Sequence, residues 1–357
     1  MRTWNMKKIL LVGTYYLYYM DSYIDGLKKT MEVDIDVIYI YPFNKNNLSL
    51  FNYLKYKLNK RKYKEKYRLQ YVERIVNKIR NNYYDAFYSL SGNIDQEYVD
   101  QRLLQLMKEK NIMTTAVYRD SIRRFREDQQ NIEMYDRVFT MEPSDIEYMK
   151  CRNVNNIYYM PVGASDSIYC SNKFNKYKEY DICFVGGYDQ YRIAICEQIA
   201  RYCLSNGIKF VVYGYYWKNK KHEYKFIKKY PNLHKCIINQ MLSGEDVAAL
   251  YKKSRICLNI HIPIHLGLNA RVFEISGSPN FQLCDDREDF SKLGFIDGEN
   301  IAVYKDAEDC IKKIKYYLAQ DELREKIATK GNELVLSRYT MNRLMFKTLD
   351  SEYKGEL

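Results

Sequence analysis

The sequence predicts an α/β protein with two Rossmann-like, doubly wound domains that face a central cleft and are followed by C-terminal helices. Its 357 residues are too many for one ordinary core and fit two domains of common size. Short apolar runs alternate with helical patterns in both halves of the chain, and the alternation breaks between them. Strands that alternate with helices indicate βαβ units, and therefore parallel sheets with right-handed crossovers.

The N-terminal domain is predicted to span residues 1–163 and to contain six strands. Its apolar, strand-like runs are 7–13, 33–41, 83–90, 111–119, 135–141 and 156–163. Helices are predicted at 20–32, at 55–82 and near 96–110, and a short helix starts in EPSDIEYMK. Because a crossover between parallel strands needs about a dozen residues, these helices are suitable connections within one sheet.

A segment without periodicity, residues 164–180, is predicted to be a linker to the C-terminal domain, residues 181–337. Strands are predicted there at 181–187, 208–214, 254–260 and 300–304, with a first helix at 191–205 and a further apolar run at 281–284. Ser243, with Asp246 three residues later, indicates the N-terminus of another helix. We expect the last helix, over 338–357, to pack back on the N-terminal domain.

The composition, 46% hydrophobic and 29% charged residues, indicates a globular protein of the cytoplasm. The nine cysteines are scattered without a CxxC pair, which favours a reducing compartment and argues against structural zinc. The first apolar run, Ile9 to Val12, is shorter than a secretory signal needs. No segment approaches the roughly 20 apolar residues that span a bilayer.

Much of the formal net charge of +12 lies in residues 55–68. Glu65 is the one acid there, against Lys55, Lys57, Lys60, Arg61, Lys62, Lys64, Lys66 and Arg68. Such a segment can be a solvated face, contact an anionic membrane at its inner surface, or bind nucleic acid. The charge pattern favours these in that order. Apolar residues from Leu69 to Ile79 have helical spacing, so we expect that part to pack on the sheet.

Two segments of the second domain carry features of an anion site. The first, FVGGYDQYR (184–192), runs from a strand through Gly186 and Gly187 into a helix with Arg192 near its start. Glycines let the backbone approach a ligand, and a helix N-terminus with an arginine favours an anion. The segment is neither the GxGxxG of dinucleotide-binding folds nor a P-loop, because no GK[ST] follows.

The second segment, GLNARVFEISGSPNFQLCDD (267–286), places Asn269, Arg271 and Glu274 at the start of a helix. One interpretation is a plain ion pair three residues apart, which would contribute a few tenths of a kcal/mol on an exposed helix. The other is a nucleotide pocket in which Arg271 binds a diphosphate and Glu274 binds the ribose hydroxyls. Spacing alone slightly favours the ion pair.

The run N-x-R-x-F-E, followed by a turn and F-x-L-x-D, resembles the donor-site signature of CgeB-like glycosyltransferases, the spore-maturation branch of the group 1 enzymes. YDICFVGGYDQYR resembles the start of that family's donor domain, and VVYGYYW resembles its YGxxW segment, with Gly214 and Trp217 in register. The tail after Asn300 resembles its closing helices. The resemblance is strong after residue 180 and loose before it.

The resemblance implies a GT-B fold and a nucleotide-diphosphate sugar as donor, with a UDP-sugar expected and no cofactor. It implies donor contacts from Gly186, Gly187, Arg192, Gly214, Asn269, Arg271 and Glu274. Glu274 corresponds to the second glutamate of the group 1 E-x7-E pair, and Leu266 stands where the first would be. The turn after Glu274 has Pro279 where glycine is common. The acceptor is expected to be a surface glycan or a protein.

The sequence indicates catalytic residues less fully than donor-binding residues. Arg192 and Arg271 are candidates for stabilising the departing diphosphate of a retaining enzyme. An inverting enzyme needs a base on the acceptor side, and Asp120 stands where the family tends to carry an aspartate at the rim of the cleft. His261 and His265 are further candidates for that base.

No metal site is predicted. Asp34 and Asp36 have the letters of the DxD motif of metal-dependent transferases, but they precede their apolar run, and the acids at 285–289 are expected to begin a surface helix. Two other classes of function stay open at this point. A basic nucleic-acid-binding protein is compatible with the pI of 9.0, although no binding module is recognisable. An inactive sugar-nucleotide-binding module is the second alternative.

Overall fold

The computed structural model describes residues 8–14, 19–30, 33–41, 49–91, 98–124, 129–350 and 352–355. Parts of four predicted elements lie outside the described residues, namely residue 7 of the first strand, 31–32 of the first helix, 96–97 of the third helix, and 351, 356 and 357 of the last helix. The chain divides into two compact units, Met1–Met160 with Met345–Leu357, and Pro161–Leu344. Each unit holds a six-stranded sheet whose strand pairs are all parallel, which confirms the predicted α/β class.

The strands of the first unit are β1 (Lys8–Thr14), β2 (Asp34–Ile40), β3 (Ala86–Ser91), β4 (Met113–Tyr118), β5 (Arg137–Thr140) and β6 (Ile157–Tyr159). Its helices are α1 (Tyr19–Thr30), α2 (Leu50–Leu58), α3 (Lys60–Asn81), α4 (Gln101–Glu109), α5 (Gln129–Ile132) and α6 (Pro143–Lys150). A 3-10 turn at Ile122–Arg124 follows β4. The order across the sheet is β2-β1-β3-β4-β5-β6.

The central strands of this sheet are largely buried because helices cover both faces of a parallel sheet. β1 is buried from its second residue to its last, and β4 likewise. α3 contributes Val72, Ile75 and Ile79 to the buried side, as their helical spacing predicted.

The single basic helix predicted over 55–82 is wrong, because the chain bends at Asn59 and forms two helices. The Asn59 side chain accepts a hydrogen bond from the Lys62 N–H at 2.9 Å, so it caps the N-terminus of α3. Its own N–H donates to the Lys55 carbonyl at 3.2 Å and closes α2. One asparagine therefore ends one helix and begins the next.

The strands of the second unit are β7 (Tyr180–Val185), β8 (Phe210–Tyr213), β9 (Ile237–Ile238), β10 (Ser254–Asn259), β11 (Gln282–Asp285) and β12 (Ala302–Tyr304). Its helices are α7 (Gln190–Ser205), α8 (Lys220–Lys229), α9 (Pro231–His234), α10 (Gly244–Lys252), α11 (Ala270–Ser276), α12 (Asp289–Lys292), α13 (Ala307–Leu318) and α14 (Asp321–Arg338). α15 (Met341–Leu349) follows and runs across the boundary of the two units. Ser243 caps α10 by accepting from the Asp246 N–H at 3.1 Å, as the sequence predicted.

The order across the second sheet is β12-β11-β10-β7-β8-β9. Counted from β7 as the first strand, this is 6-5-4-1-2-3, the Rossmann order. The strand order reverses between β7 and β10, which are hydrogen-bonded neighbours. In open α/β sheets, ligands bind beyond the carboxyl ends of the strands at such a reversal. The topology therefore places the expected ligand crevice where β7 and β10 end.

The chain end belongs to the first unit, where a buried arginine of β5 holds it. Arg137 is 5% exposed, and it donates to the carbonyls of Thr348 at 2.6 Å and Asp350 at 2.5 Å. The Tyr88 hydroxyl donates to the same Thr348 carbonyl at 3.1 Å. A cation here satisfies carbonyls that the last turn of α15 leaves without helical partners.

Among the described residues, no helix has the length and apolar character needed to cross a bilayer.

Candidate active site

The ends of β7 and β10 bring together the two segments that the sequence singled out. β7 runs into Gly186 and Gly187, and β10 runs into a loop that ends at Asn269, the N-cap of α11. Arg192, in the first turn of α7, donates from Nε to the Ile260 carbonyl at 2.8 Å and joins the two segments directly. The crevice that the topology predicts is thus bordered by Gly186, Gly187 and Arg192 on one side and by the start of α11 on the other.

Gly214 packs against the loop that follows β7. A methyl group added to Gly214 would lie 2.0 Å from the Gly186 carbonyl oxygen, so the two backbones touch. Tyr216 donates from its hydroxyl to the same oxygen at 2.9 Å. Gly187 differs, because no atom lies within 4 Å of the position its Cβ would take. Gly214 is therefore required by packing, whereas Gly187 leaves open space at the exposed side of the loop.

Arg192 is the cation of the first segment. The N-cap Asp189 accepts from the N–H groups of Tyr191 at 3.0 Å and of Arg192 at 3.1 Å, so these helix donors already have a partner. Burial lowers the pKa of the Arg192 guanidinium, and the positive charge of Arg271 acts in the same direction. A largely buried guanidinium that follows the end of β7 is suited to bind an anion there.

Asn269 joins the start of α11 to the end of β10. Its side-chain oxygen accepts from the Val272 N–H at 3.3 Å and caps the helix. The same amide pairs reciprocally with the buried Asn259 amide, with N···O distances of 3.1 and 2.9 Å. These bonds use the oxygen and one N–H of the Asn269 side chain, so it positions the helix; its predicted contact with the donor stays a prediction.

His261 holds the loop after β10 from inside. It is 1% exposed, and its Nε2 accepts from the Asn269 N–H at 3.0 Å. Its Nδ1 lies 2.8 Å from Oδ1 of Asp285, and its own N–H donates to that oxygen at 2.9 Å. Because Nε2 accepts, the ring proton lies on Nδ1 and is donated to Asp285. With both nitrogens occupied in the core, His261 does not fit the role of base considered for it.

Asp285 is the buried carboxylate on which this arrangement depends, and the sequence did not indicate it as a site residue. Burial raises the pKa of Asp285, but the hydrogen bonds from His261 and the charge of Arg287 outweigh it and hold the pKa below its ordinary value. Arg287 donates to its second oxygen at 2.8 Å and to the His265 carbonyl at 3.0 Å. Burial lowers the pKa of His261. At neutral pH the pair is an aspartate with a neutral histidine.

Cys284 lies beside this pair and completes a set of three potential metal ligands. Its Sγ is 3.8 Å from His261 Nδ1 and 3.6 Å from Asp285 Oδ1. Because His261 Nε2 accepts from the Asn269 N–H, the ring proton lies on Nδ1. Metal ligation through Nδ1 would need that nitrogen unprotonated. The donor set therefore fits a hydrogen-bonded cluster better than a metal site.

The acids at 285–289 do not form the surface helix that we expected. Asp285 ends β11 in the core, and α12 begins only at Asp289, whose side chain is also buried. The turn of the chain between them exposes Asp286 and Glu288 instead. Asp34 and Asp36 lie in β2, where Lys8 and Lys78 pair with them at 3.3 and 3.2 Å respectively.

Arg271 and Glu274 form the ion pair that their spacing predicted, through Nη1 and Oε2. The pair is not on an exposed helix face, because the Glu274 side chain is 1% exposed and that of Arg271 is 30% exposed. A buried ion pair contributes little net stability, since desolvation opposes the attraction. Stability therefore does not account for this pair. The pair lies beside the strand-order reversal, where open α/β sheets bind ligands, and its arginine is partly exposed.

Asp120 belongs to the first unit and follows β4. It is half-buried, and its Oδ1 accepts from the Ser121 N–H at 2.8 Å. Asp145 of α6, fully buried, fixes the loop by accepting from Ser121 Oγ and the Ile122 N–H, both at 2.7 Å. Burial raises the pKa of Asp145. The sequence did not indicate this support, because Asp145 is also an ordinary first-turn helix acid.

Residues 192–350 match a protein-family model described as "Glycosyl transferase-like". The matched segment begins at Arg192 and includes Arg271 and Glu274. A search of curated proteins gives no match to the chain.

Three solved structures show where this fold occurs. The chain resembles a glycosyltransferase from Rickettsia africae, with 12% identity, 97% of each chain covered and a TM-score of 0.61. It resembles HepE from Anabaena, solved with UDP and glucose, with 9% identity over 96% of this chain and 98% of that one, at a TM-score of 0.60. It also resembles a putative UDP-N-acetylglucosamine 2-epimerase from Listeria monocytogenes, with 13% identity, coverage of 97% and 96%, and a TM-score of 0.57.

At these identities the likeness shows the fold, which is the two-domain GT-B arrangement that the sequence predicted. The family match and the glycosyltransferase of this fold together support the predicted class of enzyme, a glycosyltransferase.

Two glycine substitutions separate packing from ligand access at the edge of the crevice. We expect Gly214→Ala to lower the free energy of unfolding by about 2–3 kcal/mol, because its methyl group would displace the Gly186 carbonyl. Gly187→Ala should leave stability within about 0.5 kcal/mol of the wild type, because its methyl group meets no atom. Urea unfolding of both variants checks this, and equal destabilisation by the two would contradict it.

The neutral His261 predicts a specific dependence of stability on pH. The unfolded chain binds a proton at this histidine near pH 6.5, whereas the folded protein holds it neutral beside Asp285, with Arg287 and Arg192 nearby. The contribution of this group to the free energy of unfolding should therefore fall as the pH is lowered through about 6.5, where the unfolded chain takes up the proton. His261→Gln should remove that fraction of the loss, and His222→Gln, at an exposed position of α8, is the control. An unchanged pH dependence in His261→Gln would show that the histidine is not held neutral.

Proposed function

We propose that this protein transfers a sugar from a nucleotide-diphosphate sugar, with a UDP-sugar as donor, to a surface glycan or protein acceptor. The observation that carries the proposal is the buried Glu274 beside the half-exposed Arg271 at the N-terminus of α11, where the strand order reverses. The structure of HepE with UDP and glucose supports UDP as the nucleotide, because a protein of the same fold holds it.

In this proposal the Arg271–Glu274 ion pair is the form that the donor site takes when no ligand is bound. Arg271 turns toward the diphosphate, with Arg192 across the crevice as the second cation. The Glu274 carboxylate then accepts from the ribose hydroxyls, which replace the arginine as its hydrogen-bond donors. Gly187 gives the ligand backbone access, and Asn269 holds the helix in place. Leu266, at the position of the first glutamate of the group 1 pair, is 56% exposed and apolar, so it does not recognise the sugar as that glutamate would.

The chemistry that we propose is metal-independent, without a cofactor, and retaining. As the glycosidic bond to the nucleotide breaks, negative charge develops on the departing diphosphate. Arg192 and Arg271 are proposed to stabilise that charge, a contribution that fixed cations make most strongly away from bulk water. Asp120 is proposed to face the acceptor from the first unit.

The remaining proposals concern the subtype of the enzyme, its location in the cell and its domain boundaries. We propose a CgeB-like subtype and a cytoplasmic protein that contacts the inner membrane face. We also propose an acceptor-side domain at 1–163, a linker at 164–180, a donor domain at 181–337 and a C-terminal helix at 338–357.

The likeness to the Listeria epimerase favours a second candidate function, epimerisation of a UDP-sugar. Product analysis separates the two, because a transferase releases UDP and an epimerase returns an isomeric UDP-sugar.

UDP is expected to stabilise the folded protein through Arg271 and Glu274. A ligand present at a hundred times its Kd adds about 2.7 kcal/mol, which corresponds to an increase in Tm of about 5 °C or more. Arg271→Ala and Glu274→Gln should each remove most of that increase, while Glu299→Ala, which breaks the exposed Lys330–Glu299 pair of the same unit, should keep it. Scanning fluorimetry with UDP, GDP, dTDP and CMP measures it. A full UDP effect in Glu274→Gln would place the ribose elsewhere, and no effect of any nucleotide would contradict the proposal.

A further inference from the structure

Residues 52–70 form a bent projection from the first unit, which we call the elbow. It consists of most of α2 and the first part of α3, joined at Asn59. None of its residues is buried, whereas α3 packs on the sheet further along through Val72, Ile75 and Ile79. The elbow therefore contributes little to the core, and packing does not explain its composition.

The cations of the elbow have few acids near them. Arg68 pairs with Glu65 at 2.7 Å and approaches Asp100 at 3.9 Å. Within the described parts of the chain, no carboxylate lies in ion-pair distance of the exposed side chains of Lys57, Lys60, Arg61, Lys62, Lys64 and Lys66. This concentration of one sign of charge repels itself, and an anionic surface would relieve the repulsion.

Two leucines project from the same region. Leu54 is 52% exposed and Leu58 is 87% exposed, and a spacing of four residues places them on one face of α2. Between the two helices lies a groove of about 860 Å³, with Leu58, Lys62 and Lys66 among the residues that line it. Exposed leucines next to lysines are the composition of a helix that lies in a membrane interface.

We propose that the elbow docks this protein on an anionic lipid bilayer. Leu54 and Leu58 enter the boundary between headgroups and acyl chains, and the surrounding lysines and Arg61 contact the lipid phosphates. The proposal names the membrane partner of the proposed transferase and the residues that contact it, and it rests on that function for its purpose, although docking itself needs no turnover.

The aromatic residues of the elbow favour lipid over nucleic acid. Proteins that bind single-stranded nucleic acid present aromatic rings on which bases stack. Here Tyr56 packs edge-on against Tyr63 at 6.0 Å between ring centroids, and Tyr67 packs against Tyr71 at 5.4 Å. The most exposed apolar groups are leucines, which lipid accommodates and a phosphate backbone does not.

Co-sedimentation of the full chain with vesicles tests the docking. The vesicles contain phosphatidylcholine alone or with 30% phosphatidylglycerol, and we expect binding only to the anionic ones. A cation near such a surface contributes roughly a fivefold factor in binding, so Lys60→Gln, Lys62→Gln and Lys64→Gln together should weaken it at least about tenfold. Leu58→Glu should weaken it about tenfold as well, through loss of apolar burial and added repulsion.

A matched control is available on α8, which is also basic. Lys220, Lys221 and Lys225 are exposed there, and changing all three to Gln removes the same amount of charge from the other unit. This variant should bind anionic vesicles within about twofold of the wild type. An equal loss in both triple variants would reduce the effect to general electrostatics and overturn the proposal.

Two further outcomes would overturn it. One is no binding to anionic vesicles at low salt. The other is retention of a single-stranded RNA oligonucleotide that the elbow triple variant abolishes while Leu58→Glu leaves it unchanged. The effect of UDP on Tm is measured without vesicles on the same variants. A failure of docking with the UDP effect intact is thereby distinguished from a failure of the transferase proposal.

Discussion

The hydrogen bonds of His261 are the interaction on which the candidate site depends. One imidazole joins three elements, since it follows β10, binds Asp285 at the end of β11, and accepts from the residue that caps α11. α11 is a helix of seven residues, too short to hold its own orientation without such support. The directions of Arg271 and Glu274 therefore follow from a buried histidine that does not itself face the crevice.

This arrangement explains which charged side chains of the second unit are paired. Arg287 and Asp285 neutralise each other behind the loop, and Glu274 is paired with Arg271. Arg192 bonds to a carbonyl, and among the described residues no carboxylate lies in ion-pair distance of its guanidinium. Arg192 is thus a cation without an ion-pair partner among the described residues at the crevice where we expect a ligand. In the proposed function a diphosphate supplies the negative charge, and a ribose takes the place of Arg271 on Glu274.

Local sequence signals were enough to predict most of the fold. Continuous apolar runs marked the long strands, and capping residues such as Ser243 and Asn269 marked helix starts, because these depend on neighbours along the chain. The two-residue strand β9 carries no such signal, and the bend at Asn59 was hidden by lysines with good helix propensity on both sides.

The candidate site was only partly accessible from the sequence. Arg192, Arg271 and Glu274 could be predicted as donor-site residues because their residue types and spacing suit a nucleotide, and that assignment stays a prediction. The roles of Asp285, Asp145 and Gly214 depend on contacts between residues far apart in the chain, such as the approach of Gly214 to the Gly186 carbonyl. The burial of Glu274 was likewise a tertiary property, and it excludes the exposed surface ion pair that spacing alone had favoured.

The most direct test of the account is a crystal structure of the protein with UDP bound. We expect the diphosphate within hydrogen-bond distance of Arg192 and Arg271, and a ribose hydroxyl about 2.6–3.0 Å from a Glu274 carboxylate oxygen. His261 should keep its contacts with Asp285 and the Asn269 N–H. UDP bound away from the ends of β7 and β10, or bound there with Glu274 still paired only with Arg271, would contradict the account.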